Sequence, residues 1–202
     1  NVSHELRTPI TSIKGFSETL LDGAMNDREV LKQFLTIILD ESHRLQLLIQ
    51  DLLDLSKMEN KGFSLNLSRV NVSELLKNSI QMLKSKALER EIQLELTVDD
   101  ETTIIDGDMD RLKQVFINVI NNGLSYSPNG AKVEVKATNY DDYVQIQIID
   151  TGIGIEEKEL PRIFERFYRV DKARSRNSGG TGLGLAIVKH IIEAHEGAVQ
   201  VS

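Results

Sequence analysis

No cysteine occurs among the 202 residues, and no apolar run approaches the roughly 18 residues that suggest a membrane-crossing helix. The first absence excludes disulfides and thiolate-held metals, and it fits a reducing cytosol. The second excludes a helical span within this stretch. Positive charge is scarce as well: 24 Lys and Arg face 31 Asp and Glu, for a net charge of −7. That balance argues against non-specific nucleic-acid binding, which depends on cations neutralising phosphates. The remainder, 40% hydrophobic and 27% charged, suits a globular chain of one or two domains. The chain begins at Asn1 inside an apparent helix and stops at "GAVQVS" inside an apparent strand. A piece of a longer protein is therefore expected.

Two segments differ in period. In the first, Leu6, Ile10, Ile13, Ser17 and Leu20 follow the alternating 4–3 spacing of a packed helix seam. "DGAMND" then breaks the pattern, with Gly23 as a stop and Asn26 or Asp27 as N-cap. A second stripe runs through Leu31, Leu35, Ile38, Ser42, Leu45, Ile49 and Leu52, widened by Phe34, Leu48 and Leu55. A helix from Asp27 to Glu59 would be roughly 50 Å long. A lone hairpin cannot cover stripes this wide. A second copy can, so the expected state is a homodimer with an all-α four-helix bundle. The alternative is that the rest of the chain covers the stripe.

After "NKGFS" the period changes. Val72–Arg90 reads as an amphipathic helix, Ile92–Val98 as a strand, and "TTIIDGD" as a short strand ending in a turn. Asp108–Ser127 reads as a helix capped by Asp108, and "SPNG" as a turn. "KVEVKATN" and "YVQIQIID" make a hairpin. "TGLGLAIVKHIIEAHEG" reads as a helix closed by Gly197, with a strand starting at Ala198. The expected architecture is an α+β two-layer sandwich, with helices on one face of a mostly antiparallel or mixed sheet.

Four stretches carry candidate chemistry. "IIDTGIGI" sets Asp150 at the end of an apolar strand, followed by Gly152 and Gly154. A buried carboxylate there needs a donor such as the exocyclic amine of a purine, and glycines let a flat base approach the backbone. The same residues read equally as a tight turn. "NSGGTGLGLAIVKH" surrounds a helix start with Gly179, Gly180, Gly182 and Gly184, a setting that favours phosphate. It matches neither GxxxxGK(S/T) nor a clean GxGxxG after a strand, and a plain glycine-rich loop is the alternative. Asn118 and Asn122 lie one turn apart on one helix face, with Asn121 beside them. Amide oxygens suit a hard cation such as Mg²⁺, although three Asn alone also fit surface or capping roles. Between the glycine boxes, Arg162, Arg166, Arg169, Lys172, Arg174 and Arg176 face only Glu159, Glu165 and Asp171. This basic stretch could fold over a triphosphate, anchored by Phe164 and Phe167, or could be a solvated loop.

In this order, the stretches resemble the boxes of bacterial two-component sensor histidine kinases. "SHELRTP" is similar to the H box, "NVINN" to the N box, "DTGIGI" and "GGTGLGL" to the two glycine boxes, and "FERF" to the F box. "TSIKGFSETLLDGAM" and the run from Arg162 to Gly197 look closest to phosphate-regulon sensors of Gram-positive bacteria. The resemblance implies a dimerisation and histidine phosphotransfer domain at 1–60 and a Bergerat-type ATP-binding domain at 61–202, with final strands missing. It implies His4 as phosphoacceptor, Asn122 as main Mg²⁺ ligand, Asn118 near the phosphates and Asp150 on the adenine amine. Gly152 and Gly154 would shape the adenine pocket, while Gly180, Gly182 and Gly184 cradle phosphates. Tyr126, Phe164, Arg169, Thr181 and Leu183 would complete the ATP contacts. A response-regulator receiver domain is the implied partner, and a cytoplasmic location within a membrane-anchored sensor is the implied setting. One departure stands out: Gly123 and Ser125 replace an Ala and a phosphate-contacting Lys of many members.

His4 falls off the helix seam and should face solvent, where imidazole keeps a neutral nucleophilic nitrogen near neutrality. Glu5 is placed to orient the ring or take its proton. Pro9 removes a helix hydrogen bond and should bend the helix near the reactive end. Thr8 could position a water for the reverse reaction. His43, His190 and His195 read as ordinary helix residues. The rival readings are a Bergerat ATPase of the gyrase or chaperone type, and a nucleotide-binding dimeric scaffold without autokinase activity.

Overall fold

A computed structural model describes residues 2–59, 64–170 and 180–202. The chain divides into two compact units: Asn1–Asn60 with Glu165–Leu183, and Lys61–Phe164 with Gly184–Ser202.

The first unit is built on α1 (Val2–Leu21) and α2 (Arg28–Glu59), which pack against each other. Gly23 ends α1 with φ 122°, a conformation that a side chain resists, and a 3-10 turn (Ala24–Asn26) follows. Asp27 is the N-cap of α2: its Oδ1 accepts from the backbone N–H of Glu29 at 2.9 Å and Val30 at 3.2 Å. Pro9 lies within α1, which continues on both sides of it. Phe16 and Phe34 meet edge to face at 4.8 Å. Burial within the chain follows one flank of the stripe, at Leu20, Leu48 and Leu55. Its middle stays open, with Ile10, Leu35 and Ile49 exposed by 51%, 52% and 45%.

In the second unit, β1 (Ser68–Asn71) leads directly into α3 (Val72–Glu89), whose N-cap Asn71 accepts from Glu74 N–H. Next come β2 (Gln93–Val98), β3 (Ile104–Gly107), α4 (Met109–Tyr126), β4 (Lys132–Asn139) and β5 (Val144–Asp150). A 3-10 turn (Glu157–Arg162) precedes the last helix, α5 (Gly184–Ala194). The main sheet runs β2-β4-β5, with β2 parallel and β5 antiparallel to β4; β1 and β3 form a separate antiparallel pair. Alternation decides the layers. Val133, Val135 and Ala137 of β4 are buried, with α4 packed on the sheet and α3 and α5 beside it. On the opposite face Lys132 pairs with Glu95 at 2.9 Å, and Lys136 with Glu134 at 3.4 Å.

Two expectations need correction, and one strand was unforeseen. Residues 198–202 form no strand, because neither described ladder includes them. The strand β1 was not expected: "SRVN" is short and polar, and only its pairing with β3 holds it extended. His195 is also more than a helix residue. It lies past the end of α5, with Nδ1 2.7 Å from Ile191 O and Nε2 accepting from Asp108 N–H at 2.9 Å. The two contacts assign the Nδ1–H tautomer.

Asp108 joins three segments, accepting from Asn66 N–H and from Arg111 N–H at the start of α4. Burial alone would raise its carboxyl pKa, but these N–H groups and the Arg111 charge outweigh it and hold the pKa below its ordinary 3.8. A depressed folded-state pKa adds stability above the unfolded value and loses it as pH falls through the folded one. Urea denaturation should therefore show wild type exceeding Asp108→Asn by a margin that is full above pH 3.8 and closes in stronger acid. A margin independent of pH would contradict this.

Candidate functional site

Within the first unit, His4 stands on the first turn of α1 with its side chain 72% exposed, as its place off the seam requires. Glu5 Oε1 is 3.8 Å from His4 Nδ1, and Glu5 Oε2 is 3.9 Å from Arg44 of α2. The Arg44 guanidinium is buried and also faces Glu41 at 3.8 Å. Arg44 thus restrains the carboxylate beside the imidazole, a role that its position in the sequence did not announce. Thr8 donates its hydroxyl to the His4 carbonyl at 3.2 Å, so it is engaged by its own helix rather than aimed at a water.

The same unit gathers part of the second glycine box. Phe167 (φ 63°) donates its N–H to Gly182 O at 2.8 Å, and Gly182 has φ 74°. A Cβ on Gly182 would lie 3.0 Å from Phe167 Cα and 3.3 Å from Arg169 Cγ. Close backbone approach thus demands glycine here. Arg169 also passes beside Gly180, 4.0 Å from where its Cβ would be. Thr181 donates to Asp51 Oδ2 of α2 at 2.6 Å and accepts from Leu183 N–H at 3.2 Å. Burial raises the pKa of Asp51; the Thr181 hydrogen bond lowers it and the neighbouring Asp54 charge raises it further. Leu183 is fully buried, so it supports the loop from inside. Gly179, Asp171, Lys172, Arg174 and Arg176 lie outside the described residues.

In the second unit, α4 presents Asn118 and Asn122, both half-buried. Asn118 Nδ2 donates to Gly184 O at 3.5 Å, and a Cβ on Gly184 would sit 3.7 Å from that amide. The first glycine box closes on the other end of α4. Asp150 Oδ1 accepts from Gly152 N–H at 2.9 Å, and Ile153 N–H donates to Tyr126 O at 3.2 Å. A Cβ on Gly152 would fall 2.6 Å from Asp150 Oδ1 and 2.8 Å from Tyr126 O, while Gly154 has φ 68°. Tyr126 thus contributes its carbonyl to this turn. Asp150 corrects an expectation: it is exposed, not buried. Alternation sets it on the helix-facing side of β5, but as the last residue of the strand it opens to solvent. Phe164 is half-buried next to buried Ile163.

Two families match the chain. Residues 1–61 match the His Kinase A (phospho-acceptor) domain. Residues 107–202 match the histidine kinase-, DNA gyrase B- and HSP90-like ATPase family. The histidine kinase AdeS of Acinetobacter baumannii is 30% identical in sequence, and the match covers 95% of this chain and 86% of that one with a TM-score of 0.73. The chain belongs to the histidine kinases. Another solved member, ThkA in complex with the response regulator protein TrrA, superposes over 97% of this chain and 54% of that one (TM-score 0.79, 28% identity). The sensor protein kinase WalK of Staphylococcus aureus is 42% identical over 201 residues, which are 98% of this chain. The chain spans about half of that relative's length, 48%.

In this histidine kinase, Gly152→Ala should force the Tyr126 carbonyl away from the turn, since a backbone oxygen cannot yield as a side chain can. The expected loss is about 1–3 kcal/mol of stability, as for other overpacked sites. Chemical denaturation checks it, with backbone NMR shifts expected at Tyr126 and Asp150. Wild-type stability and unmoved signals would refute the clash.

Proposed function

We propose that this chain is an ATP-dependent autokinase core: residues 1–60 carry the phosphoacceptor and residues 61–202 bind ATP. One observation carries the reading. An exposed imidazole has a carboxylate held beside it by a buried arginine, in the same chain as a glycine-lined turn at Asp150 and an asparagine pair on α4, of which Asn118 meets Gly184 at the start of α5. The exposed Asp150 carboxylate supports recognition of an exocyclic amine, and the glycines keep the turn beside it free of side chains.

Glu5 lies nearer to Nδ1 of His4. That nitrogen's proton can pass to Glu5, leaving Nε2 as the nucleophile. A bond forms between Nε2 and the γ-phosphorus as the bond from that phosphorus to the β–γ bridging oxygen of ATP breaks, releasing ADP. The phosphoryl group then passes to an aspartate of a response-regulator receiver domain. Magnesium supplies charge neutralisation on the phosphates. Among the described residues no cluster of three or more His, Asp or Glu could hold it. As the family resemblance implies, the Asn122 amide oxygen would be its protein ligand, a hard donor suited to that ion. The Thr8 hydroxyl serves the reverse phosphatase reaction by releasing its bond to the His4 carbonyl.

The half-exposed Ile10, Leu35 and Ile49 support a homodimer in which a second hairpin covers them. Among the described residues no helix is long and apolar enough to cross a membrane; we read the chain as the cytoplasmic part of a membrane-anchored sensor. The narrower likeness to phosphate-regulon sensors rests on its sequence stretches alone, and the relative matching 98% of the chain is named WalK.

Labelled ATP with Mg²⁺ should mark the protein with an acid-labile phosphate. His4→Gln should abolish the label without weakening ATP binding. Label that survives this change would refute the assignment and favour a different ATPase or a scaffold. Asn122→Ala should lose the Mg²⁺-dependent rate while sedimentation still reports a dimer; an unchanged rate would remove Asn122 from the metal.

A further inference from the structure

The Lys86 ammonium reaches the Asn-bearing helix from a neighbouring element. Lys86 of α3 donates its ammonium to Asn121 Oδ1 at 2.6 Å and to Ser125 Oγ at 2.9 Å. Asn121 precedes Asn122 in the chain and Ser125 lies one turn after it, so the ammonium rests along the rim of the Asn118–Asn122 face. Both acceptors are neutral. Among the described residues no carboxylate pairs with Lys86. The charge that acts on it is a second cation, Arg90, whose guanidinium is occupied by the carbonyls of Leu124 and Ser127. Burial first, and Arg90 second, push the Lys86 pKa below its usual 10.5.

A half-buried ammonium with only neutral partners and a like charge nearby is unfavourable for the protein alone. An incoming anion relieves it. Asn118, Asn122 and Ser125 carry no charge, so α4 itself offers a polyphosphate only amides and a hydroxyl on this face. We infer that Lys86 is a phosphate-binding residue of the nucleotide site, with Asn121 and Ser125 as the positioning residues that park its ammonium at the rim of α4. The inference rests on the ATP reading given above. Lysine suits this role, because a compact charge on a flexible stem can leave two neutral acceptors for phosphate oxygens, which bind it more strongly.

Calorimetric titration of the whole chain with ATP and with adenosine tests this in wild type, Lys86→Gln and Lys86→Arg. Glutamine keeps a donor but deletes the charge. The Kd for ATP should rise about tenfold in Lys86→Gln and stay within about threefold in Lys86→Arg. Adenosine affinity should be the same in all three. Equal ATP affinity in wild type and Lys86→Gln would overturn the proposal, as would a parallel fall for adenosine. Wild type that fails to bind ATP would instead sink the nucleotide reading itself. If Lys86→Gln does not fold, the wild-type Lys86 ¹³Cε NMR titration decides. Saturating ATP should raise its pKa, and an unmoved titration would overturn the inference.

Discussion

The second unit depends on how α4 is buried. Leu112, Val115, Phe116, Ile120 and Leu124 are buried, a spacing that fixes one face of the helix in the core. Gly123 lets it approach the sheet, where a Cβ would touch Val133 and Asp150 Cβ at 3.4–3.5 Å. With that face locked, rotation is no longer free. Asn118, Asn121, Asn122 and Ser125 must emerge together on the other side, and the Tyr126 carbonyl must meet the turn after β5. The geometry of the site is thus a by-product of core packing, not of contacts among the polar residues themselves.

Much of this was legible as pattern. The 4–3 stripes of both long helices, Asp108 as a cap, and the β4–β5 alternation each follow from local periodicity, and each lies close to its expected bounds. The exposure of His4 followed from its place off the seam. The histidine kinase family was legible too, from five boxes in order. What escaped was everything that depends on partners distant in sequence. Arg44 restrains Glu5 from 39 positions away and Lys86 reaches Ser125 across 39; nothing in either local context marks them. β1 was missed because its strand character comes from pairing, and Asp150 was misjudged because alternation gives the side of a strand but not where the overlying layer ends. Glycine needs also proved more varied than one role: Gly182 is required by the crossing of Phe167, and Gly152 by a carbonyl.

The hairpin shows a related split between what one chain satisfies and what it leaves over. Its own packing uses the Leu20–Leu48–Leu55 flank, and the open side carries Ile10, Leu35 and Ile49. A seam with two apolar flanks of which only one is consumed internally is unlike an ordinary surface helix, whose exposed face is polar. The apolar stripe and the His4 imidazole therefore share a helix but not a face, so covering the apolar side leaves His4 accessible.

On the outer side of the sheet, the register places Glu95 beside Glu134 on neighbouring strands. Lys132 answers both, at 2.9 and 3.8 Å, and Lys136 answers Glu134 again. Two lysines and two glutamates leave this patch without net charge, although the whole chain carries −7. These paired charges add little of their own to the long-range field, which the unbalanced carboxylates elsewhere in the chain dominate.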